Sequence, residues 1–433
     1  MRKILVILPY FYPVNNQRGH RWRQIATFWQ AKGIAVHVLT AKHSDFAVES
    51  EIEGVKVFRT GHAALKNIFY YFFNIKNRRG EKKSKSEKGL TLGTKSGRIL
   101  QWWNDIFWKK IYFPDDTCVW YFSARKKALQ LHQKEQYDTV ISVGLPFTTH
   151  CVGLYLKSKY PSLYWLVDYG DPFSLQKEVP LNNIFWYKNL NFRLENKVVT
   201  LANAVSVTTE ATRQLYLDAF ALPSEKVSVI PPLLSNSKVF YRKQNADNQL
   251  IIAYFGSFYA GIREPYAILD LVKKIVLEEP SWEKKLEVRI YGDVFDQFKS
   301  VLAACDNIKI CGLLDREEVA AEMQTVDFLL NISNSTPYQL PSKAPDYMQS
   351  GKPVVNIYSH ESDCFKAFFA DYPLIFNWKN DDNLINLIDF LSKNKNNHCE
   401  ESEIEFLLKP FQLGAVAEKY WELLGVKNSF ISE

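Results

Sequence analysis

A chain of 433 residues is too long for one ordinary hydrophobic core, and with 47% hydrophobic and 23% charged residues it is folded rather than disordered. Its net charge of +7 is confined to one place: residues 76–98 (KNRRGEKKSKSEKGLTLGTKSGR) hold nine Lys or Arg against two Glu, so the remainder is neutral. That distribution argues against a nucleic-acid partner, whose footprint spreads basic residues over a folded face.

The opening run, MRKILVILPYFYP, sets Arg2 and Lys3 before an apolar stretch that stops at Pro9. It is too short for the core of a signal peptide and reads as a buried strand over residues 4–8. The pattern then predicts a helix over 20–32, stopped by Gly33, and a strand over 36–40. After an irregular stretch, strands at 139–143, 164–167, 204–208 and 227–230 alternate with helical segments, and IPPLLSNS closes the series. A second series has strands at 251–255, 288–291, 308–311, 328–332 and 354–357, with helices at 265–278 and 316–324 between them. Each series has the form of βαβ units around a parallel sheet, since its strands are continuous apolar runs. Two doubly wound α/β domains are expected, 1–235 and 236–410, with a last helix in 411–433 able to pack on either. No apolar stretch is long enough to span a bilayer. The six cysteines (Cys118, Cys151, Cys305, Cys311, Cys364, Cys399) form no C-x-x-C pair, and His37 and His43 fit no metal-ligand spacing. A reduced, cytoplasmic compartment is the simplest account.

In sheets of this kind ligands bind beyond the carboxyl ends of the strands, so the loops there carry the candidates. PYFYPVNNQRGHRW holds one glycine, not the three of a dinucleotide fingerprint. Its Arg18, His20, Arg21 and Arg23 suit either an anionic acceptor, Arg21 foremost, or a solvated helix start. WLVDYGDPFS puts Asp168 and Asp171 just past a strand, where carboxylates bind acceptor hydroxyls or act as a base, and where Asp before Pro also simply forms a turn. In YFGSFYAGIREP, Gly256 permits close backbone approach and Arg263 offers a cation to a diphosphate, though a glycine after a strand also serves as a plain turn. In YQLPSKAPDYMQSGKPVV, Ser342 reads as an N-cap and Pro345 as a first-turn residue, leaving free N–H groups beside Lys343 for an anion and Asp346 one turn in for sugar hydroxyls. The alternative is a capped helix whose Asp346 faces the helix dipole favourably.

Taken in order, YFGSFYAGIREPYAILDLV and YQLPSKAPDYMQSGKPVV resemble the retaining glycosyltransferases of family 4, which have the GT-B fold: two Rossmann-like doubly wound domains facing a central cleft. KILVILPYFYP…GHRWRQIATFWQAKGIAVHVLT, LYWLVDYGDPFS and LANAVSVTTEATRQLY resemble that family's N-terminal half, so the likeness spans most of the chain except about residues 60–115. The resemblance implies transfer of a sugar from a nucleotide-diphosphate sugar to a glycan or polyprenyl-linked acceptor, with retention and without a metal or other cofactor. It implies a donor set of Gly256, Ser257, Arg263, Gly292, Gln339, Ser342, Lys343 and Asp346. It further implies acceptor contacts at Arg21, Asp168 and Asp171, with Asp171, Arg263 and Lys343 nearest the chemistry. Two departures stand out. Tyr338 occupies the position of the first of the family's two glutamates, and Gly170 stands where close relatives carry an arginine.

The insertion has its own pattern. Leu65, Ile68, Phe69, Phe72 and Phe73 fall on one helical face, as do Ile99, Trp102, Trp103, Ile106, Phe107 and Ile111, with the basic run between them. Such faces suit an anionic membrane surface reached through residues 65–111, or a core with a basic loop between its helices. Together these readings predict a cytoplasmic enzyme peripheral to the inner face of the cell membrane, working in bacterial surface-polysaccharide synthesis. The rivals are a non-catalytic relative that scaffolds such assembly, and a nucleotide-sugar 2-epimerase. The second domain's loops offer few of the acid and base groups an epimerase needs.

Overall fold

The computed structural model describes residues 2–14, 16–43, 46–63, 111–176, 180–234, 249–258, 263–379 and 382–425. The aromatic faces and basic run of residues 65–110 lie outside the described residues. The chain divides into two compact units: Met1–Thr208, Arg213–Ile230 and Ala417–Glu433 form unit 1, while Thr209–Thr212 and Pro231–Val416 form unit 2.

Unit 1 carries strands β1 (Lys3–Ile7), β2 (Ala35–Thr40), β3 (Glu49–Ile52), β4 (Val55–Arg59), β5 (Thr139–Val143), β6 (Tyr164–Asp168), β7 (Ala204–Val207) and β8 (Val227–Val229). Its helices are α1 (Gln17–Ala31), α2 (Trp120–Glu135), α3 (Thr148–Lys159), α4 (Ile184–Leu201) and, from Arg213 onward, α5 (Glu210–Phe220). The sheet order among the described residues is β3-β4-β2-β1-β5-β6-β7-β8. Every pairing is parallel except that of β3 with β4. The β3–β4 hairpin falls in the stretch read as irregular. Its turn, Glu53 and Gly54 with φ of 51° and 82°, needs two residues in the left-handed region, a task for which Asn-Gly is the recognisable signal and Glu-Gly is not. Helix α1 begins three residues earlier than expected because the Asn16 side chain caps it, accepting from the Gly19 N–H at 3.0 Å. Arg18 is thereby placed in its first turn.

Much of the aromatic content lies in the two cores: Trp22, Trp29, Trp120, Trp165 and Trp378 are all fully buried. A helix at Leu413–Leu423 brings Tyr420 against Trp22 (ring centroids 4.9 Å apart) and Trp421 against Trp29 (5.9 Å). Each such ring pair contributes about 0.5–1.5 kcal/mol beyond the area it buries.

Unit 2 carries β9 (Leu250–Phe255), β10 (Leu286–Tyr291), β11 (Ile308–Gly312), β12 (Phe328–Ile332), β13 (Val354–Ile357) and β14 (Ile375–Trp378). Its helices are α6 (Tyr266–Glu278), α7 (Asp296–Ala303), α8 (Arg316–Gln324), α9 (Ala344–Gln349), α10 (Cys364–Phe368), α11 (Leu384–Asn394) and α12 (Glu401–Leu408). Leu413–Leu423 is α13, which belongs to unit 1 from Ala417 onward. The all-parallel order is β11-β10-β9-β12-β13-β14, one strand longer than the sequence pattern showed. An asparagine ladder runs across the last three strands: Asn331 Nδ2 donates to Asn356 Oδ1 (2.7 Å), and Asn356 Nδ2 to Asn377 Oδ1 (2.8 Å). Because these amides need one another, a one-residue slip would leave them unpaired in the core, so the ladder fixes where the loops after β12 and β13 emerge.

Candidate functional site

In unit 1 the order of strands reverses between β1 and β5, so a ligand crevice is expected at their carboxyl ends. Asp168, at the end of β6, is buried there with both carboxylate oxygens engaged. Trp22 Nε1 donates to Oδ2 at 2.8 Å and Arg18 Nη1 reaches the same oxygen at 3.4 Å; Ser206 Oγ and the Tyr420 hydroxyl each donate to Oδ1 at 2.8 Å. Burial alone pushes its carboxyl up; the charges of Arg18 and Arg21, with the N–H and O–H donors, overcome this and hold it below the usual carboxylate range. Arg21 is also buried, its guanidinium over the Tyr420 ring and Nη2 donating to the Tyr420 hydroxyl at 3.1 Å. Arg21 and Asp168, expected from sequence as acceptor contacts, turn these polar atoms inward, where they tie α1 and α13 to β6. Arg23 is taken up by Glu53 at the surface.

Arg18 stands differently. It is half-buried, and a Cβ placed on Gly170 would meet its Nη2 at 2.4 Å. The space that a side chain at 170 would occupy is thus filled by a guanidinium arriving from α1. At Gly170, the position where relatives of the resembled family carry an arginine, the end of the Arg18 side chain lies where a side chain would begin. Asp171 is half-buried in the adjoining turn.

His150 lies in the same region, fully buried. Its Nδ1 meets Ser142 Oγ at 2.9 Å, and that oxygen accepts from Trp165 Nε1 at 2.9 Å. Burial pushes the imidazole down to about 3, against the pull of Asp168 and aided by Arg18. The unfolded chain, with an ordinary histidine near 6.5, binds the proton that the folded state refuses, so this group's stabilising contribution is lost as pH falls from about 6.5 towards 3. At pH 5 the loss is roughly 2 kcal/mol relative to neutral pH. Denaturant unfolding at the two pH values should show it in the wild type and not in His150→Phe. An equal slope in both would assign the acid sensitivity elsewhere.

In unit 2 the order reverses between β9 and β12. Arg263 joins the loops that leave those two strands: Nη1 donates to the Tyr254 hydroxyl at 2.8 Å and Nη2 to Asn334 Oδ1 at 2.6 Å. Asn334 in turn donates from Nδ2 to the carbonyl of Gln339 at 3.1 Å, and Gln339 Oε1 accepts from Thr336 Oγ1 at 3.1 Å. Beside Arg263 opens a pocket of about 430 Å³, lined also by Tyr266, Ser333, Ser335, Tyr358 and Trp378. Arg263 Nε and Trp378 Nε1, both buried, have no hydrogen-bond partner among the described residues. Gly256 and Gly292 answer to packing. A Cβ on Gly292 would fall 1.9 Å from the Gly256 carbonyl oxygen, and one on Gly256 would meet Tyr254 Oη at 2.6 Å and Arg263 Nη1 at 3.2 Å. Ser257 Oγ accepts from the Asp293 N–H at 3.2 Å, closing the two loops together.

The segment before α9 departs from expectation in one respect. The N-cap position is Lys343, itself in helical conformation and without a side-chain cap bond, while Ser342 is exposed. Lys343 Nζ lies 3.5 Å from Asp346 Oδ2, an i,i+3 pair. The short helix is held by Tyr347, whose hydroxyl donates to the Leu330 carbonyl (3.1 Å) and accepts from the Phe255 N–H (3.0 Å). Burial, chiefly, pushes that phenol up, and the charges of both Arg263 and Asp346 reach it. Arg263, Lys343 and Asp346 are thus gathered at one end of unit 2's sheet. Among the described residues no group of His, Cys, Asp and Glu is placed to hold a metal ion, and no helix is long and apolar enough to cross a membrane. Tyr254, Asn334 and Trp378 were missed from sequence; the aromatic and amide carry no signal apart from their partners.

No protein-family model matches the chain, and no curated protein matches its sequence. Solved structures do resemble it. The sucrose-phosphate synthase from Thermosynechococcus elongatus is 15% identical, with 98% of each chain covered and a TM-score of 0.60. A trehalose-6-phosphate structure from E. coli, bound with UDP-2-fluoro glucose, is 10% identical over 98% of this chain and 99% of that one, with a TM-score of 0.62. The apo lipopolysaccharide outer core galactosyltransferase WaaB is 10% identical over 99% and 100%, with a TM-score of 0.57. At these identities the likeness is one of fold, and it agrees with the GT-B class expected from sequence.

Proposed function

We propose that this chain is a glycosyltransferase that takes a sugar from a nucleotide-diphosphate donor, and that unit 2 holds the donor. The observation that carries the reading is Arg263, fixed by Tyr254 and Asn334 across the strand-order reversal of unit 2 and facing a pocket. A rigid guanidinium there suits the charge that gathers on a departing diphosphate. Lys343 adds a second cation, and Asp346, released from it, accepts from the ribose hydroxyls. Gln339 and Ser342 lie in the same stretch of chain and supply further polar groups to the donor. Asp171, with Arg18 nearby, positions the acceptor in unit 1. Transfer proceeds with retention, as in the family 4 enzymes that the sequence resembles, a donor phosphate oxygen taking the acceptor's proton so that no protein base and no metal is required. The acceptor is a glycan or polyprenyl-linked chain at the inner face of the cell membrane, within surface-polysaccharide synthesis, and residues 65–111 meet the anionic surface.

The test is thermal stabilisation by UDP, GDP, ADP and CDP in the presence of EDTA, on wild type and Asp346→Ala. One nucleotide at about a hundred times its Kd should stabilise the wild type by roughly 2.7 kcal/mol, a shift of several degrees, and the variant far less. Stabilisation by none of them would favour the second reading, a non-catalytic relative that scaffolds polysaccharide assembly. Tyr338, where the resembled family has its first glutamate, supports that alternative.

A further inference from the structure

Helix α4 buries Asn191, Glu195, Val198 and Val199 against unit 1, and its opposite face ought to be polar. Its first two turns instead expose Phe185 (88%), Trp186 (58%) and Leu190 (46%). Single exposed apolar residues are ordinary; three within six positions on one helix face are not. Trp186 and Leu190 are neighbours at i,i+4, and Arg193 and Lys197 continue the same face one and two turns on. From Phe185 to Lys197 the exposed charged residues are Lys188, Arg193 and Lys197, all of them cations, while the acid of this stretch, Glu195, is buried.

The patch extends beyond the helix. The Tyr187 hydroxyl donates to the carbonyl of Ile111 at 2.9 Å, Phe113 packs on the Tyr187 ring, and Ile111 is itself 53% exposed. Ile111 follows in the chain the segment whose residues 76–98 carry +7. Since α4 runs back to the start of β7, its N-terminal turns stand at the carboxyl edge of unit 1's sheet, the edge that carries Arg18 and Asp171.

We propose that this face of α4 is a membrane-docking surface. Phe185, Trp186 and Leu190 enter the boundary between head groups and acyl chains, while Lys188, Arg193 and Lys197 meet anionic lipid phosphates. Two observations select a lipid surface as the occupant: the indole beside aliphatic and phenyl groups, a combination suited to the membrane interface, and the cationic excess around it. The inference deepens the proposed function in one respect, in that it supplies the surface through which a lipid-linked acceptor is reached.

The experiment is co-sedimentation of the full chain with phosphatidylcholine vesicles, with and without phosphatidylglycerol, for wild type, Phe185→Ser/Trp186→Ser and Leu277→Ser. Leu277 is 80% exposed in unit 2 and serves as the control. Wild type and the control should pellet with the anionic vesicles, and the double variant should partition about tenfold less while melting at the wild-type temperature. Equal pelleting of the folded double variant would overturn the proposal, as would a wild type indifferent to anionic lipid. A concentration-dependent dimer abolished in the double variant would overturn it too, making the occupant a second copy. So would a fall of several degrees in its melting temperature, which would mean that the chain's own residues cover the helix. Vesicle binding needs no turnover, and nucleotide stabilisation of the same samples reports separately on the transferase reading.

Discussion

Asp168→Ala should remove about 3–5 kcal/mol from unit 1, the cost of breaking a buried ion pair from one side. The carboxylate is the common acceptor for Trp22, Arg18, Ser206 and Tyr420. Alanine would leave those donors without their acceptor in the core and two guanidiniums, the half-buried Arg18 and the buried Arg21, without the charge that offsets them. Asp168→Asn keeps an acceptor oxygen and loses the charge, so it should fall between wild type and alanine. Denaturant unfolding followed by a probe in each unit would separate the effects: the unit 1 transition should move to lower denaturant and the unit 2 transition stay. A variant of wild-type stability that loses only acceptor affinity would return Asp168 to the role that the sequence suggested.

The second large effect belongs to Arg263→Ala, for which we expect a loss of about 100- to 1,000-fold in kcat with the nucleotide sugar whose diphosphate stabilises the protein. Arg263→Lys should recover little, because the two Nη atoms span Tyr254 and Asn334 as a fork and a single ammonium cannot hold both while facing a phosphate. Asn334→Ala, which leaves the cation but loosens it, should lower kcat less. Release of the nucleoside diphosphate provides the assay. A lysine variant with wild-type kcat would show that only charge matters at this position, and an unaffected alanine variant would remove Arg263 from the donor site.

How far the sequence could be read follows from the range of the interactions involved. Strands β5, β12 and β13 match their expected limits because each is a mostly apolar run with a single inner polar residue, Ser142, Asn331 or Asn356, bounded by turn residues. The β3–β4 hairpin was invisible because its turn lacks Asn-Gly and its first strand, Glu49–Ile52, is mostly solvent-facing. Strand β14 is four residues long, and what fixes it is an asparagine in a ladder with two others from distant strands. The loops of the site were legible as loops, since they follow strands; what they do with one another was not. Arg263 and Asn334 are 71 residues apart in sequence, and Asp168 and Tyr420 are 252 apart. A carboxylate past a strand looks the same on paper whether it faces solvent or four buried donors. The resemblance to family 4 added order and spacing, but the guanidinium of Arg18 beside Gly170 could be seen only in the folded chain.

The shared acceptor at Asp168 also bears on how the protein is made. One of its four donors, Tyr420, is translated after the whole of unit 2, whereas the other three are present once β7 has emerged. On the ribosome unit 1 therefore waits, its buried carboxylate partly unsatisfied and Trp22 and Trp29 uncovered, while unit 2 is completed first from an almost uninterrupted stretch of chain. The half that begins first finishes last, and during that interval its tryptophans are the surface a chaperone would meet.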